Sequence, residues 1–82
     1  MDGNIKHIAN LVNYLLAQDT PEKMETVLRE LLTPSELMDV AKRVQIFKLL
    51  QQGVPQRQIA DRLGVGIATV TRGSNALKKR SR

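Results

Sequence analysis

The chain has no cysteine and no tryptophan, a single histidine, and only two aromatic residues, Tyr14 and Phe47, among its 82 residues. Without cysteine there is no disulfide, no thiolate nucleophile and no sulfur-ligated metal. His7 alone excludes histidine metal clusters and most catalytic triads. No nucleophile, base and orienting acid can be assembled from what remains, so the chain is read as a non-enzyme with no metal and no cofactor. With so few aromatics the core must be aliphatic and modest. A chain this short buries only about 60% of its unfolded surface by itself, so an oligomer is expected. No apolar run approaches the roughly 20 residues of a bilayer span, and Met1-Asp2-Gly3-Asn4 lacks the basic start of a signal peptide. A cytoplasmic, nucleoid-associated protein is expected.

Acidic residues are scarce in one half only. Residues 42–82 contain ten Lys and Arg and one acid, Asp61, whereas residues 1–41 contain three basic and seven acidic side chains. The second half would be drawn to a polyanion and the first repelled by it. Such charge runs often mark nothing more than a solvated face, but a lopsidedness this large in a short chain favours nucleic acid.

The periodicity is helical throughout, which predicts an all-α fold. Ile5, Ile8, Val12, Leu15 and Leu16 give a first helix with one apolar face. Thr20-Pro21-Glu22 restarts the chain with an N-cap, a first-turn proline and an acid at the positive end of the dipole. Met24, Val27, Leu28, Leu31 and Leu32 form the apolar face of that second helix. Thr33-Pro34-Ser35-Glu36 is a capping box, opening a third helix with Leu37, Val40, Ala41, Val44, Phe47 and Leu50 on its apolar face. Gly53 is expected to close it. The first two helices are too short and narrow-faced to stand alone, so residues 1–53 are read as dimerisation helices.

From Gln56 to Leu77 the pattern changes to QRQIADRLGVGIATVTRGSNAL. Pro55 opens a short helix with Ile59, Ala60 and Leu63 inward, Gly64 reverses the chain, and a second helix places Val70 and Leu77 on one face. This is helix-turn-helix spacing, assigned to residues 54–78, with Ile59, Leu63, Val65 and Val70 as its core. The second helix begins with small or short side chains that suit a major groove. Ala68 and the methyls of Thr69 and Thr71 suit thymine methyls, Arg57 has the fork to take a guanine, and Lys78, Lys79, Arg80 and Arg82 suit phosphate. Residues 79–82 are read as a basic, disordered tail. Gly73 is unexpected, because glycine inside a helix costs about 1 kcal/mol relative to alanine. Close approach of another helix and room for a ligand explain it equally well.

Leu32-Thr33-Pro34, Lys42-Arg43-Val44, Gln56-Arg57 and above all GIATVTRGSNALK resemble the bacterial Trp repressor family. The resemblance is clear over roughly residues 30–79 and looser before them. It implies an intertwined all-helical homodimer that binds L-tryptophan as corepressor and then a palindromic double-stranded operator, repressing tryptophan biosynthesis or transport genes. By that resemblance Arg43 and Arg72 lie on the two faces of the indole, as guanidinium planes do well, with Arg72 also reaching the carboxylate. Gly73 admits the ring to the helix backbone. Glu30, Leu32 and Thr33 of a partner chain hold the polar ends of the ligand, and the DNA-facing set is Gln56, Arg57, Ile67, Ala68, Thr69 and Thr71. Ala76 stands at a ligand-side position where members often carry serine. The turn Gly53-Val54-Pro55-Gln56 is one residue short and has proline in place of a Ser/Thr cap. Members also continue into a further helix beyond the position of Arg82. The rival readings are a constitutive or other-ligand-responsive DNA-binding regulator of the same fold, and a helical protein-interaction module.

Overall fold

A computed structural model describes residues 2–80, which form five helices and, among those residues, no strand. The helices are α1 (Asp2–Leu16), α2 (Pro21–Leu31), α3 (Pro34–Gln51), α4 (Gln56–Leu63) and α5 (Ile67–Arg80). None is long and apolar enough to cross a membrane.

The helix boundaries follow local chemistry. At the end of α1 the side chain of Gln18 donates to the Tyr14 carbonyl at 2.9 Å, satisfying one of the carbonyls a helix end leaves open. Thr20 caps α2 by accepting from the Lys23 amide at 3.1 Å, with Pro21 in the first turn. The capping box at α3 forms in both directions. The Glu36 amide donates to Thr33 Oγ1 at 3.1 Å, and the Thr33 amide donates to Glu36 Oε1 at 2.8 Å. The Thr33 amide, and after it the Thr33 hydroxyl, hold the Glu36 carboxyl below its ordinary value of 4.5.

At the end of α3, Gly53 adopts φ 83, a left-handed conformation. The Val54 amide then reaches back to the Leu49 carbonyl at 3.1 Å, and the Gly53 amide to Leu50 at 3.0 Å. This is a Schellman ending, and Val54 and Leu49 both pack on the core. Gly64 ends α4 in the same conformation, and the Val65 amide bonds the Ala60 carbonyl at 3.1 Å. Pro55, at the start of α4, offers no side-chain cap.

The chain divides into two units, Met1–Leu37 and Met38–Arg82. This boundary falls inside α3, because the C-terminal part of α3 belongs to the core of the second unit. Ile46 of α3, Ile59 and Ala60 of α4, and Val70 of α5 are buried together, with Leu49, Leu50, Val54, Leu63 and Val65 packed around them. Ile46 is absent from the face expected of α3, while Val40 and Val44, which were expected on it, are exposed. The helix carries apolar residues around its whole girth, so its periodicity does not select a buried side.

In the first unit Val27 is buried, and α1 leaves Ile5, Ile8, Leu11, Val12, Tyr14 and Leu16 exposed. At the far end, α5 runs on through Lys79 and Arg80, where a disordered tail was expected. Ala76 to Arg80 are mostly good helix formers, and cations are favoured at the negative end of a helix dipole. Arg82, expected to meet phosphate, lies outside the described residues.

Candidate nucleic-acid interface and ligand cavity

The core of the second unit fixes α4 and α5 against each other through Ile59, Ala60 and Val70. That leaves two distinct faces of α5 to consider, separated by helical spacing.

One face carries Ile67, Ala68, Thr71 and, further along, Lys78, all exposed. Thr71 is tied to the neighbouring helix. Its Oγ1 lies 2.9 Å from Gln56 Oε1 and 3.0 Å from the Ile67 carbonyl oxygen. A hydroxyl has one proton, so both bonds are made together when the Gln56 amide turns to donate through its nitrogen and the threonine donates to Ile67. This pin across the head was not anticipated: Gln56 and Thr71, both expected to face DNA, satisfy each other first. Arg57, next to Gln56, is exposed. The first-turn amides of α4 also lack a side-chain cap, and such amides attract phosphate oxygens.

The electrostatics match. Among the described residues both ion pairs lie in the first unit: Lys23 with Asp19, and Arg29 with Glu25, each at 2.9 Å. Exposed pairs of this kind contribute little to stability. Their placement is informative, because the described cations of the second unit are left without carboxylate partners.

The other face of α5 looks into a cavity of about 590 Å³. Thr69, Arg72, Gly73 and Ala76 line it at three- and four-residue spacing. From α3, Asp39, Lys42 and Arg43 and the apolar Ile46 and Phe47 also line it. The turn between α4 and α5 contributes Val65 and its flanking glycines. Four of the seven residues expected at the ligand, Arg43, Arg72, Gly73 and Ala76, therefore meet in one cavity. The other three belong to the first unit. There Glu30 is exposed near the end of α2, the Leu32 amide donates to the Leu28 carbonyl, and Thr33 is committed to the capping box. Thr69, expected among the DNA readers, lines the cavity beside Arg72.

Gly73 serves close approach. A methyl there would lie 2.8 Å from Ile46 Cγ2, 3.6 Å from Phe47 Cε1 and 3.8 Å from Leu50 Cδ1. Ile46 is 1% exposed and its Cγ2 sits on a branched carbon, so it has little freedom to yield. The glycine also lines the cavity, so the two explanations for it are compatible.

The description of the Trp repressor protein family matches residues 6–82, nearly the whole chain. The chain belongs to that family. It is a family of DNA-binding transcription regulators and not of enzymes. The relatives are close: the Trp operon repressor homolog of Vibrio cholerae is 47% identical over 77 residues, covering 93% of this chain and 72% of the relative. The homolog of Vibrio parahaemolyticus is 43% identical over 72 residues, 87% of this chain and 70% of the relative. That of Vibrio atlanticus is 39% identical over 79 residues, 95% of this chain and 78% of the relative.

Proposed function

We propose that the chain is a sequence-specific repressor gated by L-tryptophan, acting in the cytoplasm as a homodimer on a palindromic operator upstream of tryptophan biosynthesis or transport genes. The observation that carries this reading is that one helix, α5, is both the wall of the cavity and the exposed edge of the head. An occupant held between Arg43 and Arg72 bears directly on the helix that carries Ile67, Ala68 and Thr71. Ligand binding in the first turn and middle of that helix thus acts on the reading surface without a relay.

Two heads of a dimer enter successive major grooves about 34 Å apart. Tryptophan activates the repressor by binding the DNA-competent arrangement of the heads more tightly than the other arrangements. Base recognition falls to Arg57, Ile67, Ala68 and Thr71, with Thr69 at the margin between groove and cavity. Lys78 and Lys79 meet phosphate, and Gln56 acts from the start of α4. Glu30, Leu32 and Thr33 approach the ligand from the partner chain. The uncovered apolar face of α1 supports the dimer.

The absence of tryptophan from the chain makes the test direct, since added L-tryptophan is then the only indole present. Ligand fluorescence, with calorimetric stoichiometry, should show saturable binding of one ligand per chain. Affinity for operator DNA should rise with ligand and fall steeply with salt, because each neutralised phosphate releases counterions. No binding at millimolar concentrations ends the tryptophan-gated reading. A flat salt dependence ends the DNA reading. Ala76, which gives the cavity wall a methyl and no hydroxyl, favours the second reading: a regulator of the same fold that is constitutive or answers another small ligand. Operator affinity independent of tryptophan would identify it.

A further inference from the structure

The charges around the cavity are not all of one sign. Lys42, Arg43 and Arg72 surround it, and with them stands one carboxylate, Asp39, the single acidic side chain that lines it among the described residues. Asp39 is exposed and forms no ion pair there, although Arg43 lies one turn further along α3. At that spacing an acid and a following arginine commonly pair on a helix, so this carboxylate is left open beside the cavity. Of the other lining side chains, Thr69 alone carries an acceptor oxygen, and Ala76 carries none.

These groups discriminate between ligands of different charge. Three cations with no acid would welcome any aromatic carboxylate and repel an ammonium. Adding one carboxylate produces a wall complementary to a zwitterion, in which Arg72 takes the acid end and Asp39 takes the amine. We propose that Asp39 is a specificity residue of the cavity, receiving the α-ammonium of the amino-acid ligand and setting the preference for an amino acid over its des-amino acid. This rests on the reading of the cavity as the L-tryptophan site. A carboxylate that is only a solvated part of the helix surface would leave that preference untouched.

The test compares L-tryptophan with 3-(indol-3-yl)propionate, which keeps the ring and carboxylate but lacks the amine, by calorimetric titration of the full chain. Wild type should prefer L-tryptophan. Asp39→Asn should weaken L-tryptophan by about tenfold to a hundredfold, the range for losing a charged hydrogen-bond partner. The same variant should bind the des-amino acid as well as wild type or better, since a like charge near its carboxylate has gone. Asp39→Glu should restore part of the tryptophan affinity. Wild-type binding of L-tryptophan that Asp39→Asn leaves unchanged, or a loss shared equally by both ligands, overturns the proposal and leaves the tryptophan reading standing. A wild-type preference for the des-amino acid overturns it without any variant. Failure of wild type to bind L-tryptophan overturns both.

Discussion

The two units of this chain cover their apolar residues very unequally. Met38–Arg82 encloses Ile46, Ile59 and Val70 almost completely, at 1%, 0% and 0% exposure. In Met1–Leu37 the helices are as amphipathic in sequence, yet Ile5, Ile8 and Leu16 stand 69%, 62% and 74% exposed. An apolar stripe at helical spacing therefore reports that a helix has something to bury and does not report that its own unit buries it. The basic unit brings its own cover, with three helices meeting at Ile46, Ile59 and Val70. The acidic unit needs cover from elsewhere, which in our reading is a second copy.

The largest effect should come from opening the enclosed core. Ile59→Ala should cost about 2–5 kcal/mol of stability, as for other large-to-small changes at fully buried sites. Chemical denaturation followed by circular dichroism would measure it. The matched change in the other unit, Ile8→Ser, should leave the helices of the dilute chain formed and instead weaken self-association in sedimentation equilibrium. If Ile8→Ser affected neither association nor stability, the contrast between the units would lose its meaning.

The next effect sharpens the account of the enclosed core. Gly73→Ala gains about 1 kcal/mol of helix propensity but forces a methyl into Ile46, and overpacking of this kind costs about 1–3 kcal/mol. A net loss of stability is expected, with a lower thermal midpoint. A gain would mean that α3 and α5 separate easily. Smaller again is Thr71→Val, which keeps the shape and removes the hydroxyl pinned to Gln56. It should cost about 1 kcal/mol, the net worth of an ordinary hydrogen bond, seen as faster amide exchange at the start of α4 with the rest of the unit unchanged.

The smallest effect belongs to the acidic unit and is visible as pH dependence. The folded Glu36 carboxyl titrates below its ordinary 4.5. Its contribution is therefore present above that value and is lost as pH falls through the lower, folded one. Glu36→Gln keeps an acceptor for the Thr33 amide but cannot titrate. Denaturant stability followed by circular dichroism should find the wild type slightly more stable than the variant near neutrality, with the difference closing as pH falls through that window.

Much of this arrangement was legible in the residues because it is local. Thr20, the Thr33–Glu36 box, Gly53 and Gly64 act within a few residues of themselves, and each marks a boundary close to where the structure has it. The spacing of Ile59, Leu63 and Val70 also carried enough information to bring α4 and α5 together. Other features depend on which surfaces meet. Ile46 could not be selected on a helix apolar on every side. The bond between Gln56 and Thr71 joins positions fifteen residues apart with no pattern to announce it. Gly73 was undecided in sequence because its reason is a neighbour on another helix. Thr69 could be placed on the recognition helix, but which side it favours emerges only once α3 is in position. The family description supports the functional class; the assignment of individual side chains to DNA or ligand remains our proposal.

The contact between Gly73 and Ile46 has a mechanical consequence. Gly73 stands at the middle of α5, six residues from Ile67 and seven from Arg80. With no side chain on α5 there, the helix lies directly against Ile46 and has no side chain interlocked at that point to oppose a tilt. The contact is a fulcrum, with arms of about 10 Å on either side at 1.5 Å per residue. A tilt of about 10° carries each end of such an arm about 2 Å, and in opposite directions. Anything that wedges the helix at Arg72 or Ala76 therefore lowers the reading end as it raises the lysine-rich end, or the reverse, so the two cannot be adjusted independently.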